Sequence, residues 1–341
     1  MPPKKTIYPV FLPHAGCPFQ CVYCNQRAVV SSGPGRPDPV AQTEARLAEY
    51  AQQVEASGRP GEIAFYGGTF TALPGGVLRA VLDSAASLVE RGIFTGIRFS
   101  TRPDCLDEKV CALLARYPVS TVELGVQSLS DRVLEASGRG YAASAVFDSA
   151  ARVRGRGWSL GIQLMAGLPE DSAETFLESV RRAIGIGPDF LRIYPTLVLE
   201  GTRLAIRFRS GTYRPLELDE AIEWVLPAYD MLLSAAIPVV RMGLHADPAL
   251  DEPGVVLAGP HHPAFGYLVR CRWWRERVER ELAGRQGERL LIRAAPNLVS
   301  DVVGPGRANI RHWESAGKLR GIKVIGDGGL SGTQMVLESI H

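Results

Sequence analysis

The sequence has no run of 18 or more consecutive apolar residues, so no membrane-spanning helix is expected. Its first residues, Met1-Pro2-Pro3-Lys4-Lys5-Thr6, lack the apolar core of a secretory leader and lead straight into strand-like sequence, which predicts a cytoplasmic location. The phosphate-cradling G-x-x-x-x-G-K-[ST] loop, the zinc-protease H-E-x-x-H helix and the hydrolase elbow G-x-S-x-G are all missing, and with them the chemistries those motifs carry. No internal repeat or low-complexity tract is present. Cysteine is scarce too, six in 341 residues, which argues against a disulfide framework in a chain of this kind. Three of the six, Cys105, Cys111 and Cys271, are scattered and read as small buried hydrophobes.

What is present is an ordinary globular composition, 46% hydrophobic with a mean hydropathy of +0.02, long enough for one large core and a small appendage. The net charge of +2 is unevenly spread. Between Pro260 and Lys323 thirteen Arg or Lys stand against six Asp or Glu, a surplus of +7 that leaves about −5 for the rest. A charge-laced helix accounts for part of that surplus, and a footprint for a polyanion accounts for it equally.

The other three cysteines lie within eight residues, Cys17-Pro18-Phe19-Gln20-Cys21-Val22-Tyr23-Cys24, spaced C-x3-C-x2-C after a strand-like run from Ile7 to Leu12. Three thiolates on one loop can hold three irons of a [4Fe-4S] cube and leave the fourth open for chemistry. A structural zinc site would want a fourth Cys or His at regular spacing, which nothing adjacent supplies.

Further strands are predicted at Glu62 to Tyr66, Gly96 to Thr101, Ser120 to Val126, Ser159 to Met165 and Phe190 to Tyr194, with helical patterns between them. Ile237 to Leu244 reads as a seventh strand ending at His245. Such alternation predicts an α/β fold with a parallel sheet and right-handed crossovers. The Cys loop, the Gly67-Gly68-Thr69 turn, Ser100, Gln127, Gln163 and Tyr194 all fall at or near carboxyl ends of strands, the rim where such sheets carry function.

Spacing and aromatic together, C-x3-C-x2-C with Tyr23 before the last Cys, resemble the signature of the radical S-adenosylmethionine (radical SAM) superfamily. The phrases Phe65-Tyr66-Gly67-Gly68-Thr69-Phe70-Thr71, Thr101-Arg102-Pro103-Asp104, Val122-Glu123-Leu124-Gly125-Val126-Gln127-Ser128 and Tyr194-Pro195-Thr196-Leu197-Val198 resemble the radical SAM region of the Elongator catalytic subunit family. The likeness to oxygen-independent coproporphyrinogen oxidases is more distant. The resemblance to the Elongator region runs from about Tyr8 to Leu244.

The resemblance implies a partial (β/α)6, TIM-like barrel over residues 1–258. It implies a [4Fe-4S] cluster on Cys17, Cys21 and Cys24, whose open iron takes the amino and carboxylate groups of S-adenosylmethionine (SAM). It also implies SAM contacts at Tyr23, Gly67, Gly68, Thr69, Ser100, Gln127, Arg139 and Gln163, and reductive cleavage of SAM to a 5′-deoxyadenosyl radical. Ser100 stands where many relatives have an acidic residue. The Elongator subunit continues into an acetyltransferase domain for which this chain stops too soon. Tyr194 and His245, at strand ends, are candidate catalytic or substrate-holding groups; His261 and His262 sit in a Pro-flanked loop.

Residues 259–288 read as a loop and a basic linking helix carrying Trp273 and Trp274, which packing explains better than base stacking. Residues 289–341 read as a small α+β domain. Its strand, helix, Gly304-Pro305-Gly306-Arg307, helix, strand order is similar to a minimal KH module, although KH loops use G-x-x-G and Arg307 takes the place of the second Gly. The expected partners are RNA, tRNA foremost, and an electron donor such as flavodoxin or ferredoxin, with no membrane and no DNA. A small-molecule or tetrapyrrole substrate, or a non-catalytic iron-sulfur protein that binds RNA or senses redox state, are the alternatives.

Overall fold

The computed structural model describes residues 6–12, 16–18, 21–25, 38–244, 248–282, 284–316 and 319–340. One sheet is formed by β1 (Thr6–Phe11), β2 (Gly61–Tyr66), β3 (Gly96–Thr101), β4 (Val119–Gln127), β5 (Ser159–Ala166) and β6 (Phe190–Pro195), joined, beyond the short β7 (Val198–Leu199), by β8 (Val239–Met242). All six pairings are parallel, and the strands lie side by side in chain order. Each crossover therefore steps in the same direction, and the twist accumulates into a curl. Ile7, Pro9 and Phe11 of β1 and Arg241 of β8 line one cavity, so the two edges of the sheet face each other across it. This is a partial TIM-like barrel carrying the predicted strands.

Alternation along each strand divides the barrel. In β1, Tyr8 and Val10 are buried under the helical layer while their odd-numbered neighbours face the cavity. The crossover helices are α1 (Pro39–Ser57), α2 (Gly75–Glu90), α3 (Glu108–Leu114), α4 (Asp131–Ala136), α5 (Ser144–Gly155), α6 (Ala173–Ile186), α7 (Arg203–Arg209) and α8 (Leu218–Ser234). Their ends follow local chemistry. Asp38 accepts from the Val40 amide ahead of Pro39, and Gly58 closes α1 in the left-handed region, at φ 62°. Ser172 and Thr202 cap α6 and α7 in the same way.

Beyond the barrel, β9 (Val256–Ala258) pairs with β7, and α9 (Phe265–Glu281) packs on α8 and β8. The C-terminal part is β10 (Arg289–Ala294), α10 (Val299–Val303), α11 (Ala308–Ala316), β11 (Gly321–Gly326) and β12 (Met335–Ile340). Its sheet has the order β11-β10-β12, with β10 parallel to β11 and antiparallel to β12. Strand β12 was not predicted, since Met335 to Ile340 alternates half-buried with exposed residues on an edge and carries a weak pattern.

The C-terminal part shares the barrel's hydrophobic core. Leu290, Ile292, Val302 and Trp313 belong to the same buried cluster as Val269, Trp273 and Trp274 of α9 and the strands behind them. Polar contacts lock the seam: Arg270 Nε donates to Asp301 Oδ2 at 2.7 Å, Asn309 Nδ2 to the Cys271 carbonyl at 2.8 Å, and Trp313 Nε1 to the Arg275 carbonyl at 3.1 Å. Trp273 and Trp274 are thus core residues, in keeping with the packing reading.

Candidate functional site

A cavity of about 950 Å³ opens at the carboxyl ends of the strands. Cys17, Cys21 and Cys24 line it together with Tyr23, Gly67, Gly68, Thr69, Ser100, Gln127, Arg139, Gln163 and Tyr194. Every sequence-predicted site residue within the described chain therefore reaches one space. His245 lies outside the described residues, as do parts of the Cys loop. His261 and His262 are elsewhere: His261 Nε2 lies 3.1 Å from Asp251 Oδ1, and His262 Nδ1 accepts from the Ala264 amide at the start of α9.

The Cys loop is fastened on several sides. The Val22 amide donates to the Ser137 carbonyl at 3.0 Å, and Leu204 N to the Val22 carbonyl at 2.8 Å. Cys17 Sγ lies 3.4 Å from Thr69 Oγ1, which ties the first cysteine to the glycine turn after β2. Gly16, at φ 72°, approaches the Thr69 carbonyl so closely that a Cβ would sit 2.4 Å from it. Cys21 Sγ faces two guanidiniums, Arg139 Nη1 at 3.3 Å and Arg102 Nη1 at 3.8 Å. No three His, Cys, Asp or Glu side chains among the described residues converge on a single ion. A cube makes a different demand, one thiolate for each of three irons.

Arg139 is more deeply engaged than a ligand contact alone would require. Besides Cys21, it donates to the Tyr23 hydroxyl at 3.3 Å, to the Tyr141 hydroxyl at 2.9 Å and to the Gly125 carbonyl. Arg102 is held by Asp104 through two bonds of 2.9 Å and donates to the Arg139 carbonyl. Burial raises the Tyr23 and Tyr141 hydroxyls above the usual phenol range although Arg139 pulls the other way, so both stay neutral while accepting from Arg139.

Gln127 is the most informative residue of the wall. Strand β4 slips register against β5 between Gly125 and Gln127, and Gln127 takes a left-handed φ of 68°, rare for a residue with a Cβ. The bulge directs its amide to the cavity lining, where Oε1 is buried without a hydrogen-bond partner among the described residues. A strained backbone holding an unsatisfied acceptor at a cavity wall calls for a donor from a ligand. The hydroxyls and amine of SAM are such donors, and Gly67, at φ 94° in the turn after β2, offers a wall without a Cβ. The residues present fit the cofactor.

Below this rim a chain of charges crosses the barrel. Arg98 donates to Glu62 Oε2 at 2.6 Å and to Glu123 Oε1 at 3.0 Å, and Arg192 Nε donates to Glu123 Oε2 at 2.7 Å. Tyr66 donates to Glu123 Oε1 at 2.8 Å. Gln163 Nε2 bridges Ser100 Oγ and Glu123 Oε2, at 3.0 Å each, which ties Ser100 to this charged layer. Burial alone would raise the Glu123 pKa, but Arg192, Arg98 and Tyr66 together hold it below the ordinary glutamate value.

Comparison with known proteins accords with this geometry. The family model described as "Radical SAM superfamily" matches residues 11–183, and that described as "Radical_SAM C-terminal domain" matches 188–275. The chain belongs to the radical SAM superfamily. An uncharacterized protein of Methanocaldococcus jannaschii is 28% identical over 225 residues, covering 62% of this chain and 67% of that protein. A tRNA uridine(34) acetyltransferase of the same organism is 29% identical over 209 residues, covering 54% of this chain and 38% of the acetyltransferase. Among solved structures, the archaeal Methanocaldococcus infernus Elp3 with an N-terminal deletion superposes with a TM-score of 0.59 at 24% identity, covering 81% of this chain and 63% of that one. The radical SAM chain therefore carries a [4Fe-4S] cluster and SAM, and it resembles Elongator-type proteins over its barrel. It spans well under half of the acetyltransferase it matches.

Sequence reasoning assigned no role to Glu62, Arg98, Glu123, Arg192, Arg241 and Tyr141. A signal for most of them was present: a lone charge inside an otherwise apolar strand, as in Phe190-Leu191-Arg192-Ile193 or Thr121-Val122-Glu123-Leu124, marks a side chain aimed into a barrel rather than at solvent.

Proposed function

We propose that this radical SAM enzyme modifies RNA, with tRNA as its substrate. The bound cluster and SAM would supply a carbon-centred radical able to take a hydrogen atom from substrate. The chain's own residues hold the parts. Cys17, Cys21 and Cys24 present thiolates, Arg102 and Arg139 lend Cys21 positive charge, and the Gly67 to Thr69 turn with Gln127 receives SAM. The barrel's interior strands would wall the reacting carbon on the side of the sheet. Electrons would come from an external one-electron donor of the flavodoxin or ferredoxin type.

The observation that carries the chemistry is the convergence of three cysteines, a glycine turn and an orphaned Gln127 acceptor on one cavity. Support for RNA comes from the acetyltransferase relatives and from the C-terminal part. There Arg307 adopts φ 65°, the conformation natural to the glycine it replaces in a G-x-x-G loop. Gly304 cannot be replaced cheaply, since a Cβ would meet Asn309 at 2.9 Å. Pro305, Gly306 and Arg307 are exposed, and the Arg307 guanidinium is available to a phosphate, while its amide is spent on the Gly304 carbonyl.

The test is anaerobic reconstitution, followed by SAM cleavage under dithionite and mass spectrometry of tRNA from cells with and without the protein. Cys17→Ala should abolish 5′-deoxyadenosine formation; persistence of cleavage would refute the cluster assignment. A tRNA affinity indifferent to salt would point to a small-molecule substrate instead. Failure of the reconstituted protein to bind SAM would point to a non-catalytic cluster.

A further inference from the structure

The charged residues of the cavity are balanced except at one edge. The carboxylates of Glu62 and Glu123 neutralise Arg98 and Arg192, Asp104 neutralises Arg102, and Arg139 is bound to tyrosine hydroxyls, Cys21 and a carbonyl. Arg241 on β8 lines the same cavity, is half-buried, and has no hydrogen bond or ion pair among the described residues. It stands level with Arg192 across the β6–β8 pairing, so two guanidiniums lie side by side and one carboxylate, Glu123, serves only the first. Tyr194, two residues beyond Arg192 on the same face of β6, lines the same cavity. A second guanidinium beside an already paired one repels it and gains nothing structurally. Its place at a cavity wall suits an anion that arrives from outside.

That anion is not the carboxylate of SAM. The cofactor's amino and carboxylate ends belong at the iron, beside the Cys loop and the glycine turn after β2. Arg241 stands on β8, the strand at the opposite edge of the sheet order from β1 and β2, which carry the Cys loop and that turn.

We propose that Arg241, together with the Tyr194 hydroxyl, binds an anionic oxyacid group of the substrate, a phosphate or a carboxylate, and so fixes which end of the substrate points at the radical. This rests on the radical SAM reading of the cavity, and it narrows the substrate to one carrying such a group near the carbon attacked. A nucleotide phosphate and the carboxylate of a small acid share this chemistry.

The test uses the reconstituted holoprotein saturated with SAM, titrated calorimetrically with uridine 5′-monophosphate, acetate and uridine. Preference of at least tenfold for either anion over uridine, lost in Arg241→Gln and partly kept in Arg241→Lys, is the expected result. Tyr194→Phe should lose a few-fold. SAM affinity, read from the change in the cluster's EPR signal, should stay within twofold in Arg241→Gln, which also shows that the variant folds. Selection of the monophosphate identifies a phosphate source and selection of acetate a carboxylate source. No anion preference in the wild type, or a preference surviving Arg241→Gln, would overturn the proposal, as would a loss of SAM binding that places Arg241 at the cofactor. Absence of tRNA binding with the anion preference intact would remove the RNA reading and leave this one standing.

Discussion

At the scale of single residues, the site is built from groups held slightly against their own preferences. Gln127 has a left-handed backbone and an unsatisfied buried acceptor, and both liabilities lie at the cavity. Removing the amide in Gln127→Ala should weaken SAM binding about tenfold, the worth of one well-placed hydrogen bond. Because the same change removes a buried unsatisfied group, thermal stability without SAM should not fall. Calorimetry with SAM and a melting curve without it separate the two effects.

Glu123 makes the opposite case. Its folded pKa is depressed, so the stability it contributes is present above the unfolded value of about 4.3 and is lost as pH falls through the lower folded value. Glu123→Gln leaves Arg98 and Arg192 buried without their shared carboxylate and should cost about 3–5 kcal/mol near neutrality. The deficit should narrow as pH falls below the unfolded value and close only below the lower folded value, which denaturant titrations at pH 7 and through a descending acid series would show.

At the scale of elements, most of the barrel was legible in the sequence because a parallel strand buried on both faces is a short apolar run bounded by turn residues. The runs ending at Tyr66, Thr101, Gln127 and Tyr194 are of this kind, and their carboxyl ends could be marked as the functional rim before any coordinates. The Cys17, Cys21 and Cys24 spacing and the Gly67-Gly68 turn were legible for a similar reason, being local. What sequence could not show was pairing across strands. That Arg98 would reach Glu62 and Glu123, or that Arg241 would be left over beside Arg192, depends on register, and register is a property of the assembled sheet. Strands β7 and β9, of two and three residues, carry too little pattern to be seen.

The seam between α9 and the C-terminal part shows how an element can look separable in sequence and not be so in space. Trp313 is fully buried, and its indole N–H is satisfied by the Arg275 carbonyl. Trp313→Ala should destabilise the whole chain by about 3–5 kcal/mol, seen as one shifted transition rather than a new early one. Asn309→Ala, which removes the amide that reaches the Cys271, Asp301 and Val302 carbonyls at the seam, should cost about 1–3 kcal/mol by the same measurement.

At the scale of the whole molecule, a near-neutral total hides a basic stretch from Pro260 to Lys323. Some of its arginines are committed to folding: Arg270 to Asp301, Arg272 to Glu276, and Arg277 over the rings of Trp273 and Trp274. The exposed remainder, with the Gly304 to Arg307 loop, is what a polyanion would meet. If RNA binds there, raising salt from 50 to 200 mM should weaken binding by one to several powers of ten, roughly in proportion to the phosphates contacted. Arg307→Ala should flatten that slope without altering SAM cleavage, a separation visible in filter binding and in 5′-deoxyadenosine yield.

The curled sheet leaves β1 and β8 unzipped from one another, with no pairing between them among the described residues. A closed cylinder would admit only ligands small enough to enter through its mouth. An incomplete one also has a side door, flanked by the iron-bearing loop at one jamb and Arg241 at the other, through which part of a much bulkier guest can lean in while the rest of it stays outdoors.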